Sequence, residues 1–361
     1  MGALVRDSEL GVFRGKRVLV TGHTGFKGSW LTLLLDSLGA KVMGYALSPD
    51  YAGGHFERLG LEKQIRHVTG DVRDLDYMRK EVGAFQPEIV FHLAAQALVR
   101  PSYVDPKTTF DVNVGGGINL LEVVRTCDSV RALVFITSDK CYENLEWIWG
   151  YRESDAMGGH DPYSASKGAA ELVFSSYLRS FFANRPEFGA ATARAGNVIG
   201  GGDWAADRIV PDCVRALQAG KPIIIRSPRA TRPWQHVLEP LSGYLKLGAR
   251  LLESGHAFDG SWNFGPHVGD VRTVLDVANA IACQFESASV IVDEPRDKPH
   301  EAQLLQLNSD KARQLLQWDT RWDFEQTLAA TGCWYQEVLV HDKPAAAVSR
   351  GQISAYYGGQ L

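Results

Sequence analysis

Long apolar stretches are missing from this chain of 361 residues. None approaches the roughly 20 residues that span a bilayer, so no membrane-crossing helix is expected. The opening residues, MGALVRDSELGVF, break each apolar pair with a charge and offer no secretory core, and Arg6 stands where a myristoylation motif wants Ser or Thr. An excess of one charge is missing too. Lys and Arg number 38 against 42 Asp and Glu, a formal net charge of −4 with no long run of either sign. Nucleic acid is therefore not an expected partner. Cysteine is sparse and scattered: Cys127, Cys141, Cys213, Cys283 and Cys333 form no CxxC pair, which argues against a zinc site or a disulfide framework and for the cytosol. No metal site, internal repeat or low-complexity segment is expected. What remains is a globular chain, 45% hydrophobic, long enough for one large α/β domain with a smaller partner.

What the chain does contain is KRVLVTGHTGFKGSW, residues 16–30. Lys16 to Thr21 is a short β-branched and apolar run suited to a strand buried on both faces. Gly22, Gly25 and Gly28 follow three apart, a spacing that lets the backbone turn tightly, approach a pyrophosphate and seat a helix against the strand. That helix carries Trp30, Leu31, Leu34, Leu35 and Leu38 on its apolar side and stops at Gly39, so its N-terminal dipole points back at the loop. A glycine-rich turn serving packing alone is the plain alternative. Placement between a strand and a helix, at the head of a chain that goes on alternating the two, favours dinucleotide phosphate binding through Gly22, Thr24, Gly25, Phe26, Lys27 and Gly28.

A second strand is expected over Lys41 to Tyr45. The acidic residue that usually meets the adenosine ribose here is absent, for the sequence continues Ala46-Leu47-Ser48. No arginine follows either, which leans away from a 2′-phosphate, although Lys27 leaves NADP open. NAD is the expected cofactor. A third strand, near Ile65 to Thr69, runs into Gly70-Asp71-Val72-Arg73-Asp74, where Asp74 suits a helix cap and Asp71, with Val72, an adenine contact. Ile89 to Leu93 reads as a buried strand ending in Ala94-Ala95-Gln96, whose alanines leave room for a nicotinamide ribose, though close packing explains them almost as well. One helix is expected over Thr108 to Thr126. Its Asn113, grouped with the cofactor site, is either a structural hydrogen-bonding residue near that site or a solvent-facing one.

Leu133 to Thr137 is another apolar run, and it delivers Ser138-Asp139-Lys140 to the sheet edge that holds the glycine loop. Alone this would be a strand-ending turn. Farther on, Asp161 and Pro162 start a helix with an N-cap acceptor and a proline in its first turn. Tyr163 and Lys167, four apart, then share a helix face, where an ammonium can favour the phenolate and lower a phenol pKa that is otherwise about 10. A phenolate there can take a proton from a sugar hydroxyl while hydride leaves the same carbon.

At these residues the chain resembles the extended short-chain dehydrogenase/reductase family, from Lys16 to about Trp322. VTGHTGFKGSWL, ITSDKCYENLEWIWGYRE, DPYSASKGAAEL, RAGNVIGGGDWAADRIVPD and RPWQHVLEPLSGYL resemble its nucleotide-sugar 4,6-dehydratase branch, and within it the enzymes that act on CDP-glucose. The resemblance implies an α/β fold, a doubly wound parallel sheet of the Rossmann type with a second, smaller α/β substrate domain, with NAD as cofactor and CDP-glucose as partner. It also implies a homodimer or homotetramer. Tyr163 and Lys167 become the base and its partner, Ser138 a hydrogen-bonding group for the sugar 4-hydroxyl, and Asp139 the acid that expels the 6-hydroxyl. Many nucleotide-sugar dehydratases carry an acidic residue where this chain has Lys140, so the base for the C-5 proton is Lys140 or another group. Asn197 and Arg208 resemble contacts to the nucleotide diphosphate. Arg232, Asn263, His300 and Glu301 are carried over as substrate contacts.

A nucleotide-sugar 4-epimerase is the alternative enzyme, and a non-catalytic NAD-sensing protein the alternative from another class. The expected division is 12–195 with 236–258 for the cofactor, 196–235 with 259–345 for the substrate, and a tail, 346–361, partly disordered and without chemical signal. The loop Gly200-Gly201-Gly202-Asp203-Trp204 is read as too glycine-rich for core.

Overall fold

The computed structural model describes residues 7–267, 269, 271–285, 289–293 and 304–359. Seven strands form its central sheet: β1 Arg17–Thr21, β2 Lys41–Ala46, β3 Arg66–Thr69, β4 Ile89–His92, β5 Ala132–Ile136, β6 Gly189–Ala195 and β7 Gly260–Phe264. They run parallel in the order β7-β6-β5-β4-β1-β2-β3. Winding reverses between β1 and β4, where Val18 lies opposite Ile89 and Thr21 opposite His92. In an open sheet of this kind the crevice beyond the carboxyl ends of two such strands is where ligands bind.

The sheet is apolar on both faces because helices cover both. On one side Val18, Val20, Ile89, Phe91, Val134 and Ile136 pack with α1 Phe26–Ser37, and on the other Leu19, Val90, Leu133 and Phe135 pack with α2 Leu75–Phe85, α3 Gly116–Arg125 and α4 Pro162–Tyr177. The first face also takes α5 Leu238–Ser254, α6 Phe324–Tyr335 and α7 Ala345–Tyr356. Beyond the carboxyl end of β6 the chain builds small two-stranded sheets, among them Val198–Ile199 with Gln235–His236, Thr231–Pro233 with Val271–Thr273, and Ile223–Ile225 with Val290–Val292. No helix among the described residues is long and apolar enough to cross a membrane.

Four expectations need correction. The helix expected from Thr108 to Thr126 is interrupted by a wider π turn over Asp111–Gly115, which carries Asn113. Residues 260–264, assigned from sequence to the substrate unit, are the edge strand of the main sheet, paired with β6 from Gly260 opposite Ala191 to Phe264 opposite Ala195. The tail is not disordered over its described part. It forms α7, and its polar side chains lock onto earlier segments: Arg350 bonds Asp36 and Ser37 at the end of α1, Ser349 bonds His55 and Trp334, and the Tyr356 hydroxyl donates to Glu239 at 2.6 Å. This cover also explains why Gly28 to Leu35 of α1 are all buried, rather than one side of it only.

The fourth correction concerns Gly200, Gly201 and Gly202, which are buried. A Cβ on Gly201 would stand 1.9 Å from Trp334 Cγ, and one on Gly202, at φ 81°, would stand 2.5 Å from the His55 ring. These glycines admit large rings into the core; they do not mark a surface loop.

Candidate active site

The glycine loop turns where the sequence places it. Gly22 has φ 73°, and a Cβ there would lie 2.7 Å from Ala94 N, so the first glycine lets the end of β1 pass the end of β4. A Cβ on Gly28 would lie 2.1 Å from Gly22 O, which is the close helix-to-loop approach that the third glycine permits. Gly25 is the N-cap of α1, and no side chain fills the cap. The helix therefore begins with open backbone N–H groups facing the crevice, a fit for a dinucleotide pyrophosphate. Thr24 is tied to Leu47 O, and Phe26 lies against Gly200. At the other end of the crevice Asp71 is engaged by Arg73, with bonds down to 2.6 Å, and Asp74 is the cap, accepting from Tyr77 N. Val72 packs on Gly116, where a Cβ would meet it at 2.5 Å.

Asn113 belongs to the framework of the site. Its amide accepts from Gln96 N at 2.8 Å and donates to Gln96 O and to Ser166 Oγ, which in turn donates to Tyr163 O. One side chain thus pins the segment after β4, carrying Ala94 and Ala95, to the helix turn that bears the tyrosine. The π turn makes this possible by aiming one buried amide inward.

At the head of α4, Asp161 caps Ser164 N and Pro162 starts the first turn. Tyr163 and Lys167 are both buried, and the Lys167 ammonium lies 5.9 Å from the centre of the phenol ring. The phenol is nonetheless pushed up, to about 12, because burial outweighs the help of the Ser138 hydroxyl and Arg208. Lys167 is pushed down to about 8 by burial and by the charge of Lys27. The expected lowering of the phenol by Lys167 is thus overturned in the chain alone, since desolvation penalises both charged forms.

Ser138 and Asp139 follow β5 side by side, the Ser138 hydroxyl donating to Asp139 Oδ1 at 2.9 Å. Burial holds the Asp139 carboxyl above its usual range against the pull of Lys140, Ser138, Arg232 and Lys27. Its other oxygen faces Gly196, where a Cβ would come within 3.0 Å. Asp139 is thus suited to carry a proton, as an acid must. Lys140 stands next in the same short turn, less buried than Asp139.

The proposed substrate contacts divide. Arg208 is ion-paired with Asp203 at 2.9 Å and its charge favours ionisation of Tyr163; Arg232 is buried and its charge reaches Asp139. Asn197 is the second residue past the carboxyl end of β6, on the same edge as Ser138. Asn263, near the carboxyl end of β7, is fully buried, accepts from the Tyr142 hydroxyl, and donates to Tyr151 O and Asn308 O. His300 and Glu301 lie outside the described residues.

Sequence reasoning missed the group behind the site. Arg194 of β6 and Glu171 of α4, one turn beyond Lys167, form a buried pair at 2.7 Å, joined by Thr137, Thr192, Tyr142 and Ser261. The available signal was a lone arginine in a strand of small residues, GAATARA. His23 was missed as well. It fills the space left by Gly44 and bonds His67 at 2.7 Å, with its pKa pushed down to about 3 by burial.

With this geometry in hand, comparison with known proteins is direct. Residues 19–331 match the family model described as GDP-mannose 4,6 dehydratase. The chain is 47% identical over 349 residues to a CDP-glucose 4,6-dehydratase of Salmonella typhimurium, covering 95% of this chain and 97% of that one. An epimerase of Methanothermobacter thermautotrophicus superposes with a TM-score of 0.78 at 28% identity, covering 92% of this chain and 96% of that one. A dTDP-glucose 4,6-dehydratase of Bacillus anthracis in complex with NAD superposes at 0.73, with 20% identity, 90% of this chain and 98% of that one, which bears on the fold alone.

Proposed function

The chain belongs to the GDP-mannose 4,6 dehydratase family, and from that premise we propose that it converts CDP-glucose to CDP-4-keto-6-deoxyglucose by oxidation at C-4, loss of water across C-5 and C-6, and return of hydride to C-6. What supports this reading is near full-length identity to a relative named for that reaction, together with the Ser138 hydroxyl bonded to Asp139 and acting on the Tyr163 phenol, beside which Lys167 lies. When bound, NAD supplies a hydride acceptor that later gives the hydride back and, in its oxidised form, a positive charge.

Tyr163 takes the proton of the 4-hydroxyl, which Ser138 orients. Burial disfavours the phenolate that this requires in the chain alone, and the charge of Lys167, four residues on, together with that of the oxidised cofactor, would offset it once the site is filled. The new 4-keto group acidifies C-5, and Lys140 removes that proton or, kept charged, stabilises the enolate. Asp139, whose proton is retained by burial, delivers it to the departing 6-hydroxyl. Arg208, Arg232 and Asn197 receive the nucleotide diphosphate end; Gly22, Thr24, Gly25, Phe26 and Gly28 receive the pyrophosphate of NAD, and Asp71, Val72, Ala94, Ala95 and Gln96 its nucleoside ends.

We also place the protein in the cytoplasm, supported by its five free cysteines, in deoxysugar synthesis for surface polysaccharide such as O-antigen. A homodimer or homotetramer is supported by exposed Val104, Phe110, Leu172 and Phe181 on neighbouring helical segments. Incubation with CDP-, UDP-, GDP- and dTDP-glucose, followed by product mass, tests the function. Loss of water from CDP-glucose supports the proposal. An isobaric product would make the protein an epimerase, and turnover of no sugar would leave the NAD sensor.

A further inference from the structure

Lys27 is the second residue of α1, in the middle of the glycine loop that holds cofactor phosphates, yet its side chain keeps other company. Three residues on, Trp30 Nε1 donates to Gly201 O at 2.9 Å, and the Phe26 ring lies against Gly200. The start of α1 therefore faces the Gly200 to Asp203 loop, and residues three apart on a helix share that face. The charges that act on Lys27 are those of Arg208, Asp139 and Asp203, and Lys27 in turn acts on Lys167. Asp139 comes from the turn after β5, Lys167 from α4, and Asp203 and Arg208 from the segment between Val198–Ile199 and the helix Ile209–Gln218, the side of the crevice where the sugar chemistry takes place.

Lys27 makes no hydrogen bond or ion pair with any described residue. Asp203 is engaged by Arg208, and Asp139 is held toward its neutral form by burial. Lys27 thus stands with Arg208 and Lys167, whose charges oppose its own, and no carboxylate among the described residues pairs with it. Cations crowded inside a protein repel unless an anion comes between them. The backbone N–H groups of the loop and the helix end already suit the cofactor's pyrophosphate.

We propose that Lys27 is a substrate-binding residue whose ammonium, beside Arg208, receives the phosphate bonded to the sugar in the nucleoside diphosphate sugar. The assignment rests on the reaction proposed above. It gives the glycine loop two duties, with backbone groups for the cofactor and one side chain for the substrate. Proximity to Asp139 and Lys167 selects the sugar-side phosphate over the nucleoside-side one.

The test is calorimetric titration of the full chain and of Lys27→Met and Lys27→Arg with CDP, CMP and NAD. Loss of one charge-assisted contact should weaken CDP about tenfold or more in Lys27→Met. CMP, which lacks the second phosphate, and NAD should stay within about threefold, which also shows that the variant is folded, and Lys27→Arg should recover most of the CDP affinity. Weakened NAD with unchanged CDP would return Lys27 to the cofactor and overturn the proposal, and so would equal weakening of CDP and CMP. If the wild-type chain prefers another nucleoside diphosphate, the cytidine assignment fails by itself. The same comparison with that diphosphate and its monophosphate then decides on Lys27.

Discussion

Replacing Glu239 by Gln should change how stability depends on pH. Glu239 opens α5, is fully buried, and accepts from the Tyr356 hydroxyl and from the backbone N–H of Arg321 and Trp322. Burial pushes its pKa from 4.5 up to about 7 against those bonds. The folded state therefore keeps the proton in a range where the unfolded chain has released it. Stability from this group is complete below pH 4.5 and is lost as pH rises through 7. With a shift from 4.5 to about 7, linkage gives a loss of roughly 2.5 kcal/mol between pH 5 and pH 8. Glutamine has the shape of the protonated acid, and the Tyr356 hydroxyl can turn toward Ser242, 3.1 Å away, and accept from its amide. Urea unfolding of wild type and Glu239→Gln at pH 5 and pH 8 isolates the term, because other groups cancel in the difference. The variant should gain roughly 2.5 kcal/mol on wild type over that interval. Parallel pH curves would refute the reasoning and mean that Glu239 is ionised in the fold.

Other predictions concern the site and its supports. Tyr163→Phe should abolish C-4 oxidation, so no NADH absorbance appears at any substrate level; near-normal turnover would remove the central base. Asp139→Asn should still oxidise C-4 but stall before elimination, seen as bound NADH without dehydrated product. Normal product release would free Asp139 of the acid role. Gly201→Ala puts a methyl 1.9 Å from Trp334 and should cost about 1–3 kcal/mol by urea unfolding. An unchanged midpoint would show that the core yields there. Arg194→Met strands a buried carboxylate on Glu171 and should cost roughly 3–5 kcal/mol in the same assay.

Local chemistry made much of this molecule legible from sequence. The strands β1, β2, β4 and β5 announced themselves as short apolar runs, and the caps at Asp74 and Asp161 as acidic residues before helices. The glycine loop was readable because its spacing expresses a backbone requirement. What stayed hidden depends on partners distant in the chain. Gly201 and Gly202 look like loop glycines until Trp334 and His55 are seen to occupy their Cβ space. The final helix has weak local signals, and its place is set by Arg350, Ser349 and Tyr356 reaching residues far back in the chain. Asn263 reads as a ligand contact by likeness, and its bonds to Tyr142, Tyr151 and Asn308, which engage both amide N–H groups, could not be foreseen from spacing. The direction of the Tyr163 shift needed the extent of burial, which a four-residue spacing does not contain.

The most direct test of the account follows the hydrogen at C-4. A dehydration that consumes no oxidant must return the hydride it takes, so CDP-glucose carrying deuterium at C-4 should yield a 4-keto-6-deoxy product with that deuterium at C-6, lighter than substrate by one water, with NAD present only in catalytic amount. Deuterium recovered in free NADH, with the sugar left oxidised and no water lost, would contradict it and make the protein an ordinary dehydrogenase.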